Sequence, residues 1–244
     1  MTLRVRSLSL IAGGMLLATS LPTAGCGIGS VRGNGKPSTE RYQLTGFDRV
    51  HTYGSLDVEL ALGEVESVEV TCDSNLHEHM EVTVYGGELE FDTDRGVSIS
   101  PRSTCVATVT AVRLLGVSTT GSGEIRVQGS APELADVQTS GSGDVRAGDI
   151  GSERVDARTT GSGDITLGGV THYLDVSSTG SGDVNARDLV AQRVLARTNG
   201  SGDIAVFAQA AIDAKTTGSG DIDVWGQPPE RKHSSHGSGD VKFH

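Results

Sequence analysis

The chain is 244 residues long, with 34 glycines and only 4% aromatic residues, so glycine stands at about twice its ordinary ~7% share. Glycine and proline together stay below the ~25–30% that marks low-complexity disorder, and a folded, glycine-punctuated chain of one large or two small domains is expected. A formal charge of −11 excludes a broad basic footprint for DNA or RNA, which needs clustered Lys and Arg, so no nucleic-acid partner is expected.

The amino terminus has the layout of an export signal. Arg4 and Arg6 precede an uncharged apolar stretch from Leu8 to Leu21, followed by small residues and Cys26. The stretch is shorter than the ~20 residues a membrane-spanning helix needs, which predicts a cleaved signal peptide over 1–25 rather than an anchor helix. Thr23-Ala24-Gly25-Cys26 resembles the bacterial lipobox. That resemblance implies lipidation of Cys26, a membrane partner through the lipid, and, with Gly27 rather than an aspartate next, sorting to an outer membrane where the cell has one. The competing reading is ordinary cleavage after Gly25 with Cys26 left as a free thiol. Loss of the leader removes two arginines and no acid, so the mature chain has no electrostatic pull toward anionic lipid heads. Residues 26–43, rich in Gly, Ser and polar groups around Pro37, read as a flexible tether. Their GNGKPS fragment is not a phosphate loop, because Pro37 follows Lys36 where that motif needs Ser or Thr.

The dominant signal is a repeat. GSG followed by Asp or Glu and then Ile or Val begins at Gly121, Gly141, Gly161, Gly180, Gly200, Gly218 and Gly237, at spacings of 20, 20, 19, 20, 18 and 19. A constant period near 20 predicts a solenoid whose units bury their apolar faces against their neighbours. Either side of each GSG the residues alternate with period two, as in strands, and no 3.6-residue periodicity appears. The fold class expected is therefore all-β, a single-chain parallel β-solenoid with a right-handed crossover. Ile125, Val145, Ile165, Val184, Ile204, Ile222 and Val241 should form one inward column. Val127, Ala147, Leu167, Ala186, Val206, Val224 and Phe243 should form the next. At the usual ~4.8 Å between strands, the length from Leu44 to His244 has room for about ten coils. In the last unit Arg231 and His233 replace apolar residues, as befits a capping coil.

Residues 44–115 lack the short period but alternate strongly, with Val58 and Leu60, Val68 and Val70, Val82 and Val84, and Gly86-Gly87 turning into Leu89-Glu90-Phe91. Gly54-Ser55-Leu56-Asp57-Val58 is a weaker copy of the repeat. The succession FDRVHTYGSLDVELALGE, VEVTCDSNLHEHMEVTVYGGELEF and the GSGD series over about 45–242 resembles the head GIN domain of auto-transporter adhesins. It implies one β-helical cell-surface domain over 44–244, with regular repeats from 116, often carried by lipoproteins.

Reactive constellations are scarce. There is no GxSxG elbow, HExxH helix, CxxC pair or strand-bound GxGxxG, and the repeat serines have no repeated histidine beside them, so they read as turn residues, with His233 and His236 near the tail read as solvated. His77 and His79 near Cys72 suggest zinc only weakly, since no fourth ligand has metal-site spacing; a polar surface edge is the simpler reading, and neither metal nor cofactor is expected. Cys72 and Cys105 remain as candidates for one disulfide in an oxidising compartment. The stacked acids Glu124, Asp144, Asp164, Asp183, Asp203, Asp221 and Asp240 should repel at ~4.8 Å by ~0.9 kcal/mol in water and ~3.5 kcal/mol at an effective dielectric near 20. Compensation is expected from backbone N–H groups at each acid's own corner, with calcium between coils as the alternative. The function expected is a non-catalytic binding or adhesion head for an unidentified surface polysaccharide or protein. A polysaccharide-active β-helix enzyme and a purely structural envelope protein are the alternatives.

Overall fold

The computed structural model describes residues 29–244, so the signal peptide assigned to 1–25 and the lipidation site Cys26 lie outside the described residues. Two long parallel ladders make up the body. One stacks β3 (Arg49–Gly54), β10 (Gly116–Gly121), β12 (Asp136–Gly141), β14 (Arg154–Gly161), the second halves of β15 (Ile165–Gly180), β16 (Val184–Gly200) and β17 (Ile204–Gly218), and β19 (Glu230–Gly237). The other stacks β4 (Asp57–Leu62), β11 (Ile125–Gln128), β13 (Val145–Ile150), the first halves of β15, β16 and β17, then β18 (Ile222–Trp225) and β20 (Val241–Phe243). Each GSG is the corner where the chain passes from the first ladder to the second. The chain is thus a parallel β-solenoid, and its register aligns every repeat in the way the sequence period requires.

Side chains alternate between the inside and solvent because successive strand residues face opposite sides. Ile125, Val145, Ile165, Ile204 and Ile222 are wholly enclosed, with Val184 nearly so. Burial of each such side chain is worth roughly 1.5–3 kcal/mol. Val127, Ala147, Leu167, Ala186, Val206 and Val224 form the second buried row. A third side, where β15, β16 and β17 bend without breaking, adds Leu189, Ala191 and Ala208. Bulges near Gly168, between Ala186 and Val190, and between Ala191 and Arg193 absorb the differences in coil length there, which leaves the corners in register. In the terminal coil, Arg231 stands opposite Ile212 and His233 opposite Ala214, both exposed, as a solvent-facing end requires.

The weak copy at Gly54 is a coil of the same stack: Gly54 pairs with Gly121 and Val58 with Ile125. After Leu62 the chain leaves the solenoid for β5 (Ser67–Asp73), a 3₁₀ turn at His77–His79, β6 (Met80–Tyr85), β7 (Glu88–Thr93), β8 (Val97–Ser100) and β9 (Val106–Ala111), then rejoins it at Gly116. Strands β7 and β9 extend the two ladders in parallel, while β6 and β5 pair with them antiparallel. Antiparallel pairing at this end removes the open parallel edge on which further strands would stack. The excursion also corrects the length expectation, since residues 63–115 do not coil: six regular turns run from Gly121 to Gly237, beside the Gly54 coil, rather than about ten.

The tether expected over 26–43 is corrected as well. From Gly29 onward this segment is structured, with β1 (Gly29–Arg32) parallel to β8 and β2 (Pro37–Tyr42) antiparallel to β5. Its polar composition fits edge strands with exposed outer faces. Gly33 lies where a Cβ would meet the Asp73 carboxylate at 1.8 Å, so the chain passes this point only without a side chain.

Candidate functional site

The corners come first, because they hold the acids singled out by sequence. The first glycine of each GSG has φ between 120° and 146° from Gly121 to Gly237, a region L-residues rarely adopt. A Cβ on the second glycine would approach a carbonyl oxygen of the coil below to between 2.1 and 2.3 Å. The carbonyl of the first glycine accepts two N–H groups from the next coil, as when Ser142 and Gly143 both donate to Gly121 at 2.7 and 3.0 Å. The serine side chains point to solvent, in keeping with a turn role.

A buried hydroxyl spans every corner. Thr119, Thr159, Ser178, Thr198 and Thr216 donate to the carbonyls of Gly123, Gly163, Gly182, Gly202 and Gly220 at 2.6–2.9 Å, and Thr139 and Ser235 do the same for Gly143 and Gly239. All but the exposed Ser235 of the last coil are buried, and the period-two alternation around each GSG gave no sign of the bond itself. The signal was present as Thr or Ser two positions before every GSG.

The acid column is held between coils, which corrects the expectation of a bond within each acid's own corner. Asp144 accepts the N–H of Asp164 at 3.0 Å. Asp164, Asp183, Asp203 and Asp221 likewise accept the N–H of Asp183, Asp203, Asp221 and Asp240 at 2.8 Å each. Each carboxylate supplies the rung that the corner omits from the backbone ladder. Glu124, one methylene longer, is instead gripped by the Arg126 guanidinium through two contacts of 2.8 Å and by Arg146. At the other end Lys242 pairs with Asp221 and, together with the Asp240 N–H, holds its carboxyl below the ordinary range. Asp164, Asp183 and Asp203 are exposed, so water screens their mutual repulsion. Among the described residues no group of three or more His, Cys, Asp or Glu is arranged to hold a metal ion.

The outward side of the first ladder is a flat polar face built in rows. Gln138, Arg158, Ser177, Arg197 and Lys215 stack in one row. Asp136, Asp156 and Asp175 lie in the row beside it, and Ser140, Thr160, Thr179, Asn199 and Thr217 in the row nearest the corner. Arg154 forks onto Asp156 at 2.8 and 2.9 Å and reaches Asp175 at 3.4 Å; the fork keeps the Asp156 carboxyl low. Where the acid row has Gly116, the face dips into a groove of about 390 Å³ lined by Arg49, His51, Glu88, Asp136, Gln138 and Arg158.

The remaining candidates sit elsewhere. Cys72 and Cys105 are opposite residues of β5 and the lead-in to β9, with Cα atoms 4.3 Å apart and sulfurs joined as a disulfide. His77 and His79 occupy a 3₁₀ turn, not a strand. His77 is buried rather than on a polar edge, with Nε2 3.0 Å from the Ser38 carbonyl, and His79 contacts Asp94 at 3.1 Å. Asp73, which sequence reasoning passed over, is fully buried. It accepts the Ser103 hydroxyl at 2.7 Å and the Arg102 N–H at 2.7 Å, and these bonds hold its carboxyl below the usual value. Trp225 is sandwiched between Arg187 at 4.4 Å and His244 at 4.6 Å, so neither ring face is open for sugar stacking.

A parallel solenoid with glycine corners, a polar outer face and an antiparallel closing unit defines the class of the protein, a closed β-solenoid domain. The chain belongs to the family described as putative auto-transporter adhesin, head GIN domain, whose pattern covers residues 46–228. Among solved structures it is similar to a putative adhesin from Bacteroides fragilis, with a TM-score of 0.82 at 22% identity over 88% of this chain and 100% of that one. A putative adhesin from Parabacteroides merdae gives 0.71 at 20% identity, over 88% and 99% of the two chains. A putative lipid binding protein from Parabacteroides distasonis gives 0.68 at 24% identity, again over 88% and 99%. No curated protein matches the chain. Among the described residues no helix is long and apolar enough to cross a membrane.

Proposed function

We propose that this protein is a cell-envelope lipoprotein, tethered through Cys26, whose solenoid head is a non-catalytic adhesin-type scaffold. The observation that carries the binding role is the outward face of the first ladder. Its rows of Arg, Asp, Gln and hydroxyl side chains repeat at one strand spacing over successive coils, which suits many weak contacts with a repetitive ligand such as a polysaccharide or an extended protein. Family membership supports the adhesin class. The corner acids point away from catalysis, because Asp144, Asp164, Asp183, Asp203 and Asp221 each serve as a backbone rung, and equivalent groups in equivalent settings do not divide into acid and base.

Two measurements test this reading. Cys26→Ser should move the protein to the soluble fraction and abolish acyl labelling; retention of both label and anchoring would refute the tether. The soluble Cys26→Ser protein, incubated with envelope and extracellular polysaccharides, should bind saturably without producing new reducing ends or unsaturated products. Combined Arg158→Ser and Arg197→Ser changes should weaken binding at least tenfold and leave the melting temperature within about 2 °C, as surface substitutions do. Turnover that vanished on replacing one acidic residue would overturn the proposal.

A further inference from the structure

At the first corner of the solenoid no coil lies beneath Gly54, where a Cβ would meet no atom within 4 Å. Every later corner glycine is roofed by a carbonyl of its neighbour. The position that one more coil would fill is instead a cavity of about 520 Å³ between this corner and the β6–β8 strands, within the ~300–1,000 Å³ of small-molecule sites. Its wall is apolar, formed by Leu56, Met80, Val82, Phe91, Val97 and Ile99. Met80, Val82, Val97 and Ile99 are only half-buried; Met80, Val82 and Ile99 rest on the edge of the core, and all four present apolar surface to the cavity.

The charges around this cavity restrict its ligand. No Lys, Arg or His lines it, and Asp92 is its one carboxylate. The Tyr53 hydroxyl at the rim is kept neutral, because burial and then the nearby Glu90, Glu88 and Asp92 raise its pKa. A carboxylate-headed chain would meet an acidic rim with no cation to pair with, whereas a chain bearing an uncharged ester or amide would meet hydroxyls of Tyr53, Ser55 and Ser98.

We propose that this cavity is a binding site for one acyl chain with an uncharged head. Its location agrees with that chemistry. β8 forms one wall, and Gly29 of β1 pairs with Val97 on that strand. Cys26 is three residues before Gly29 in the sequence, and three residues reach at most ~11 Å from that strand. This proximity rests on the tether reading above; the cavity and its lining do not. Two sources offer the same chemistry, the acyl chains on Cys26 itself and an ester lipid of the surrounding membrane.

The experiment uses the protein in its own cells. Cells are grown with a diazirine-bearing fatty acid, which they incorporate into esters and amides, then irradiated, and the crosslinked residues are mapped by mass spectrometry. Crosslinks should fall on residues 80–99. Ile99→Trp and Val82→Trp, which fill the cavity from two walls, should each reduce them at least tenfold, whereas Val170→Trp, on an exposed remote position, should not. Circular dichroism of each variant establishes that it is folded. In the wild-type protein, crosslinks joined to the Cys26 peptide assign the chain to the protein's own anchor, and crosslinks carrying a separate ester lipid assign it to the membrane. Acyl labelling read separately from crosslinking shows whether the tether reading itself holds. Absence of crosslinks from 80–99 in the folded wild-type protein, or yields unchanged by both filling variants, would overturn the site. In a direct assay on the Cys26→Ser protein, palmitate binding as tightly as monopalmitoylglycerol would overturn the preference for an uncharged head.

Discussion

The six regular turns and the closing unit over 29–115 reach stability by different means. In the turns one solution is copied: two glycines, a spanning hydroxyl and a carboxylate rung at each corner, over columns of Ile, Val and Ala. In the closing unit each anchor occurs once: Phe47 and Phe91 in the core, the Asp73 network, the close pass at Gly33 and the Cys72–Cys105 disulfide. A repeated device fails by accumulation, because each coil rests on the next, whereas a unique device fails locally. Mutation therefore should read differently in the two regions.

The largest effects belong to the turns. Ile165→Asp places a charge in a wholly enclosed column with no partner, and should abolish cooperative unfolding and the strand signal in circular dichroism; Val170→Asp, 61% exposed, should stay within about 0.5 kcal/mol of wild type. Gly163→Ala would set a Cβ 2.1 Å from the Gly143 carbonyl oxygen and should cost roughly 4 kcal/mol or more in denaturant unfolding, since the obstructing atom is backbone of the preceding coil and the coils must part. Gly148→Ala, with open space around it, is its control and should change little.

The next effect probes the closing unit. Opening the disulfide, with its separation of 33 residues, should lower stability by about 3.5–4 kcal/mol in the chain-entropy account. Thiol titration of the denatured, unreduced Cys26→Ser protein should find no free cysteine. Hydrogen exchange after reduction should rise first in β5 and β9 and last in β16 and β17. Equal acceleration throughout would erase the distinction between the two regions.

Smaller effects sharpen it. Thr159→Val removes the hydroxyl that satisfies the Gly163 carbonyl at 2.6 Å and should cost about 1–3 kcal/mol. Asp183→Asn keeps an acceptor oxygen for the Asp203 N–H and should cost less than Asp183→Ala, with melting temperatures of both unaffected by millimolar calcium or chelator. In acid, Asp73 decides the sign. Its folded pKa is depressed, so its contribution is complete above the unfolded value of about 3.9 and is lost as pH falls through the lower folded value. Asp73→Asn should flatten that part of the stability profile between pH 4 and 2, and a profile as steep as wild type would assign acid sensitivity to other carboxylates.

The turns were legible in sequence because their constraints are periodic: a column of Ile and Val every 18 to 20 residues fixes stacking and register, and the glycines mark the corners. Even the coil at Gly54 carried its signature, though only the structure seats it directly on Gly121, because the intervening excursion hides the period. The direction of the carboxylate bonds was not legible, since an aspartate beside a turn can serve its own corner or the next coil, and only stacking geometry selects the latter. Residues 29–42 misled through composition, as edge strands with exposed outer faces need few apolar residues. The cavity beneath Gly54 escaped altogether, because its walls come from strands far apart in sequence and a missing coil leaves no trace in any motif.

The one-way carboxylate rungs also bear on how the molecule comes to be built. Asp144, Asp164, Asp183, Asp203 and Asp221 each accept a bond from the coil that follows, so a completed coil presents an acceptor already in place for the next length of chain. Each folded coil thus offers its neighbour a ready surface of backbone groups and carboxylate acceptors, and the folded state can extend coil by coil from wherever it starts. Chain added to a folded coil need order only about 20 residues at a time, so the entropic cost of a large β structure is met in small instalments.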